Sequence, residues 1–271
     1  VMLMFDLAED DDQLCTTYEL AGIVYMGLGR WEEAQVNFEA ADAHLVCDLD
    51  CADVSQEMID RKHTLMTNIG SLMVKRGNHS WAILFVKSIL SHSRTSELNR
   101  GWAHLVYGDA LLEINNIQQA KTHFDSALKI FQDDYTSNED SREGNQSQGN
   151  IRWAKIHLLK TAALLGDISA VRSLKKCEQD WMFTDPEAST MAGFFHAEQL
   201  KTKRRDSVLR DLLKRARSQG LGEITQRICA LLSICLMVGL MSNEPRQEVL
   251  ERETISIQKK GPKLGRGNTG K

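Results

Sequence analysis

Three stretches of this chain repeat one spacing of small residues. A glycine (Gly22, Gly70, Gly108) is followed 12 residues later by an alanine (Ala34, Ala82, Ala120). Packing residues then stand 4 and 7 positions beyond the alanine: Phe38 and Ala41, Val86 and Ile89, Phe124 and Ala127. Intervals of four and seven return to one side of an α-helix. The pattern therefore encodes a helix, a tight turn and a second helix, with small residues where the two must touch. One such hairpin cannot bury its apolar face alone, but stacked neighbours can. The product is a surface for holding other proteins, with no chemistry of its own.

Before the turn, the first copy adds Tyr18 and Tyr25, and the third adds His104 and Leu111. Gly29-Arg30-Trp31-Glu32-Glu33-Ala34 carries the turn into the second helix, whereas Asn115-Asn116 replaces the turn glycine in the third copy. These residues resemble the tetratricopeptide repeat, whose pattern sets aromatics, glycine and alanine at such offsets. The resemblance covers about half the chain. It implies an all-α, right-handed α-solenoid of antiparallel hairpins, with about 10–12 helices. Spacing departs from the family's roughly 34 residues: Ala34 to Ala82 is 48 and Ala82 to Ala120 is 38. The extra length is expected around residues 47–57.

Periodicity and punctuation place helices over residues 13–28, 31–45, 54–75, 80–91, 97–114 and 117–131. Ser96 is an expected N-cap, and Trp81, Leu84, Phe85 and Ile89 are expected to face the core. The clearest repeats thus occupy residues 1–131. Residues 132–150 are acidic and polar with no aliphatics, which predicts a flexible loop, read first as a passive insertion between repeats; the competing reading is a regulatory loop phosphorylated at Thr136, Ser137 or Ser141. Degenerate repeats continue over residues 151–242, with helices at 151–165, 168–179, 186–200 and 206–218 and an apolar helix ending at Met241. Asp185-Pro186 reads as a cap and first turn. Residues 243–271 are expected to be a largely disordered basic tail.

Three prolines and a net charge of −4 fit a helical protein and give nucleic acid no long-range attraction. The apolar run Ile228 to Met241 falls short of the about 20 residues needed to span a bilayer, so no membrane partner is expected. Six cysteines in mostly helical, apolar settings read as reduced thiols of a cytoplasmic or nuclear protein. The chain opens at Val1, which suits a fragment or domain excerpt.

His44, Cys47 and Cys51 would share a helical face and present soft ligands to zinc. No paired Cys-x2-Cys completes such a site, and the expectation is no metal. Without nucleotide-loop or hydrolase motifs, no catalytic residue, cofactor or small-molecule substrate is expected either. Lys201, Lys203, Arg204 and Arg205, followed by Lys214, Arg215 and Arg217, resemble a bipartite nuclear-import signal or a patch for an acidic partner. The competing reading is a solvated helix face.

The repeat resemblance further implies a concave groove built by the first helix of each hairpin. Its candidate partner-binding residues are Glu19, Ile23 and Met26, then Thr67, Ser71 and Val74, then Leu105, Asp109 and Leu112. They lack the basic clamp of chaperone-binding repeats and suit an amphipathic helix or extended peptide. The functional expectation is a non-catalytic scaffold or adaptor, one subunit of a larger complex. The alternatives are the sensor region of a larger signalling ATPase and a subunit of a nuclear cell-cycle or chromatin complex.

Overall fold

The computed structural model describes residues 11–45, 49, 51–138, 142–182, 184–200 and 202–241. Among them are eleven α-helices and no strand. They are α1 (Asp11–Gly27), α2 (Trp31–His44), α3 (Gln56–Lys75), α4 (His79–Ser91), α5 (Glu97–Glu113) and α6 (Ile117–Asn138). There follow α7 (Arg142–Leu164), α8 (Ile168–Asp180), α9 (Pro186–Glu198), α10 (Thr202–Ser218) and α11 (Gly222–Met241). The chain divides into two units, residues 1–228 and 229–271. The described part of the second is the remainder of α11, where the Ser233 hydroxyl donates to the Cys229 carbonyl at 2.9 Å. In the first, each helix from α1 to α9 packs on the one that follows it. Alternate helices also lie side by side, α1 on α3, α3 on α5 and α7 on α9.

The repeated small residues do what their spacing predicts. Ala34, Ala82 and Ala120, with the residues 4 and 7 beyond each, are all no more than 1% exposed. A Cβ built on Gly22 would stand 2.5 Å from the Phe38 ring, and one on Gly108 would overlap Phe124 in the same way. In the second copy Val86 replaces the phenylalanine, and a Cβ on Gly70 would have 3.3 Å. The aliphatic copy is therefore the less tightly keyed one.

Five helices (α1, α3, α5, α7 and α10) end in one geometry. Gly29, Gly77, Asn115, Gly166 and Gly220 all have positive φ. The next N–H donates to the carbonyl five residues back: Arg30 to Tyr25 at 2.9 Å, Asn78 to Met73 at 2.8 Å and Asn116 to Leu111 at 2.8 Å. Asp167 to Ala162 and Leu221 to Ala216 follow suit at 3.0 and 2.9 Å. The motif satisfies carbonyls that a helix end leaves open. Asn115, at φ 61°, takes the left-handed conformation in place of glycine. Starts are equally local: Ser96 accepts from Asn99 N–H at 3.4 Å, and Asp185 accepts from Ala188 N–H at 3.0 Å with Pro186 first in α9.

Two expectations need correction. The loop expected over residues 132–150 is helical to Asn138 and again from Arg142; residues 139–141, including Ser141, lie outside the described residues. Several of its described polar side chains have partners within the fold. Thr136 and Ser137 hydroxyls both donate to the Asp133 carbonyl at 2.9 Å, and buried Ser147 donates to Asp134. Low apolar content does not prevent a helix whose side chains bond their own backbone and a neighbour. In α4, Ile89 is buried and Phe85 partly so, but Trp81 and Leu84 are 68% and 59% exposed. The buried stripe is Ala82, Val86 and Ile89, and helical geometry turns Trp81 and Leu84 away from it. The tail over residues 243–271 lies outside the described residues.

Candidate functional site: a cavity faced by alternate helices

Each first helix of a hairpin carries a groove-facing stripe, and a polar tie fixes it to the next. Asn68 on α3 donates to Glu19 of α1 at 2.9 Å, and Asn99 on α5 donates to the Asp60 carbonyl of α3 at 3.1 Å. His157 Nδ1 on α7 lies 2.9 Å from Asp109 Oδ1 on α5, and Arg152 lies 3.4 Å from the α9 cap Asp185. These ties set the register in which α1, α3, α5, α7 and α9 look into one cavity of about 500 Å³. The first turns of α11 complete its wall.

Of the nine groove residues read from sequence, Ile23, Met26, Thr67, Ser71, Val74, Leu105 and Asp109 line this cavity. Glu19 does not; its carboxylate is occupied by Asn68. Burial pushes that carboxyl up, with Asn68 and Arg61 opposing. Leu112 packs instead against the core cluster around Leu111, Phe124 and Phe131. Sequence reasoning missed Trp102, Trp153, His157, Lys160, Lys75 and the α11 residues Glu223, Ile224 and Arg227. Comparison of the chain with protein families and with curated proteins finds no match.

The cavity is amphipathic, with indole and aliphatic surface beside charges of both signs. Burial raises the Asp109 carboxyl, but His157, Lys75 and Lys160 outweigh it and hold it at about 2. Asp109 therefore stays an anion well below the usual carboxylate range. Glu187 goes the other way: burial pushes it up, Asp185 and Glu223 add to this, and Lys75 opposes. Lys75 Nζ meets Glu223 Oε1 at 2.5 Å, and Arg227 Nε reaches the same oxygen at 3.2 Å. The His157 ring is held among Phe124, Trp153 and Phe195 at 5.1 to 6.2 Å. Lys160 Nζ lies 4.3 Å above the Phe195 ring.

The remaining candidates are dispersed. Helix α2 ends at His44, whose ring stacks on Tyr18 at 5.7 Å. Cys51 is exposed outside the helix, and Cys47 lies outside the described residues. The common helical face that zinc would require is therefore not formed. Among the described residues no group of three or more His, Cys, Asp or Glu is placed to hold a metal ion. None of their helices is long and apolar enough to cross a membrane. The basic run is also divided. Arg215 is drawn inward to Glu178 at 2.7 Å, while Lys214 sits 3.6 Å from Asp211. Arg204 and Arg217 are exposed, and Arg205 is half-buried. Lys201 and the side chain of Lys203 lie outside the described residues.

Proposed function

We propose that this chain is a non-catalytic scaffold of the tetratricopeptide type, a right-handed α-solenoid whose groove holds a helix or extended segment of a protein partner within a larger complex. The observation that carries the reading is the convergence of Ile23, Met26, Thr67, Ser71, Val74, Leu105 and Asp109, from three successive hairpins, on one cavity. Its mixture of aliphatic, aromatic and charged lining suits a helix with one apolar stripe and flanking charges. His157 pairs with Asp109 but is clamped by aromatic rings, an arrangement suited to joining hairpins rather than to moving protons.

Affinity capture of partners with the full chain tests this directly. Ser71→Arg and Leu105→Arg, which fill the groove with charge, are expected to lose the captured protein at least tenfold. Trp81→Ser, on the outer face of α4, is expected to keep it. Equal recovery by all three variants contradicts the groove reading.

A further inference from the structure

The far wall of the cavity is made by the chain itself. Gly222 lies so close to the backbone of Leu28 that a Cβ there would overlap the Leu28 carbonyl. Gln226 Nε2 donates to the Gly29 carbonyl at 3.3 Å. Glu223 meets Lys75 across 148 residues of chain, with both side chains 16% exposed. Leu221 and Ile224 face the same space as Ile23, Val24 and Leu28. The first two turns of α11 thus close the ends of α1 and α3 through one ion pair, one side-chain hydrogen bond and one backbone approach.

The segment already holds the charge a partner would use. Glu223 occupies Lys75, and Leu221, Ile224 and Arg227 form wall that a partner helix about 10–12 Å across would cover. A partner helix that pairs with Lys75 must therefore displace residues 220–227. Their attachment allows it: Leu221 stands between Gly220, with φ +69°, and Gly222, so the segment is joined through two residues without side chains. A largely buried ion pair is costly to break by removing one partner, but little is lost when an equivalent charge replaces it.

Building on the groove reading above, we propose that residues 220–227 are an intrachain stand-in for the partner. The groove's ligand is then an amphipathic helix presenting an acid, an adjacent aliphatic residue and a base one turn on, as Glu223, Ile224 and Arg227 do. It binds by displacing this segment and taking over Lys75.

The test uses the full chain and a fluorescent peptide of residues 219–233 with serine at position 229. The Glu223→Lys chain, whose own segment is repelled while Lys75 remains, is expected to bind the peptide at least tenfold more tightly than the native chain. Lys75→Glu is expected to bind it no better than the native chain does. The double variant Lys75→Glu, Glu223→Lys re-forms the pair in reverse and is expected to exclude the peptide again. Amide exchange over residues 220–228 should rise in the Glu223→Lys chain and fall back in the double variant, which separates release from unfolding. Should Glu223→Lys lose its helical circular dichroism, Glu223→Gln replaces it with the same expected direction. Equal peptide affinity for the native and opened chains, no binding to either, or binding indifferent to Lys75→Glu, overturns the proposal. Those results leave the groove reading to the capture experiment, where Ser71→Arg and Leu105→Arg decide it independently.

Discussion

The Nδ1 atoms of His104 and His123 stand 2.8 Å apart, one ring donating and the other accepting across the α5–α6 hairpin. Tyr107 stacks on His123 with centroids 4.0 Å apart. Burial lowers both imidazoles; His104 and Lys87 lower His123 further, to about 4. Two protonated rings cannot share this hydrogen bond.

Acid stability follows from that pair. An ordinary histidine binds its proton near 6.5, so the unfolded chain holds more protons than the folded one between about 4 and 6.5. The pair's contribution to stability is therefore complete above about 6.5 and is lost as the pH drops towards 4. Denaturant melts at intervals across this range are expected to show that slope, and His123→Gln is expected to flatten it. An unchanged slope contradicts the assignment.

Glycine at the hairpin crossing should be irreplaceable, while glycine elsewhere in the same repeats should not. Gly108→Ala drives a methyl into the fully buried Phe124 ring, with an expected cost of about 1–3 kcal/mol. A Cβ on Gly27 meets nothing within 4 Å, so Gly27→Ala is expected to stabilise by up to about 1 kcal/mol. Thermal melts of the two variants should move in opposite directions.

Asn115 tests the turn. Its positive φ is tolerated by asparagine and free for glycine but strained for a β-branched residue. Asn115→Gly is expected to stay within about 0.5 kcal/mol of the native chain, and Asn115→Val to lose about 1–2 kcal/mol. Equal effects in chemical denaturation would remove the left-handed conformation from the account.

Asp109 joins α5 to α7 through His157. Its lowered carboxyl stabilises the fold above the ordinary value of 3.8, a contribution lost as the pH falls towards 2. Asp109→Asn is expected to cost about 1–3 kcal/mol near neutrality. It should also accelerate amide exchange in α7 more than in α1.

These relationships differ in how far the sequence exposes them. Helix ends were legible because Gly29, Gly77, Gly166, Gly220 and the Asn115-Asn116 pair encode a local turn. The inner stripe was legible in three copies for the same reason. Counting back 13 residues from Asn115 and from Gly166 reaches Trp102 and Trp153, and counting back 6 reaches Asp109 and Lys160. The missed half of the cavity thus had a signal in the turn of α7. Trp81 misled because size was read as burial, whereas the packing phase of Ala82 sets which side faces inward. The polar helices flanking residues 139–141 depend on satisfied hydroxyl and carboxylate groups that composition does not report. The pairing of Lys75 with Glu223 depends on how successive hairpins stack, and no local pattern near either residue encodes it.

The central claim is that the faces of α1, α3 and α5 turned to the cavity receive the partner. Amide hydrogen exchange of the full chain, with and without the protein it captures, measures this most directly. The account predicts slowed exchange over residues 23–28, 67–75 and 102–113, with α2 and α4 unchanged. Protection confined to α2 and α4, around Val36, Trp81 and Leu84, would contradict it.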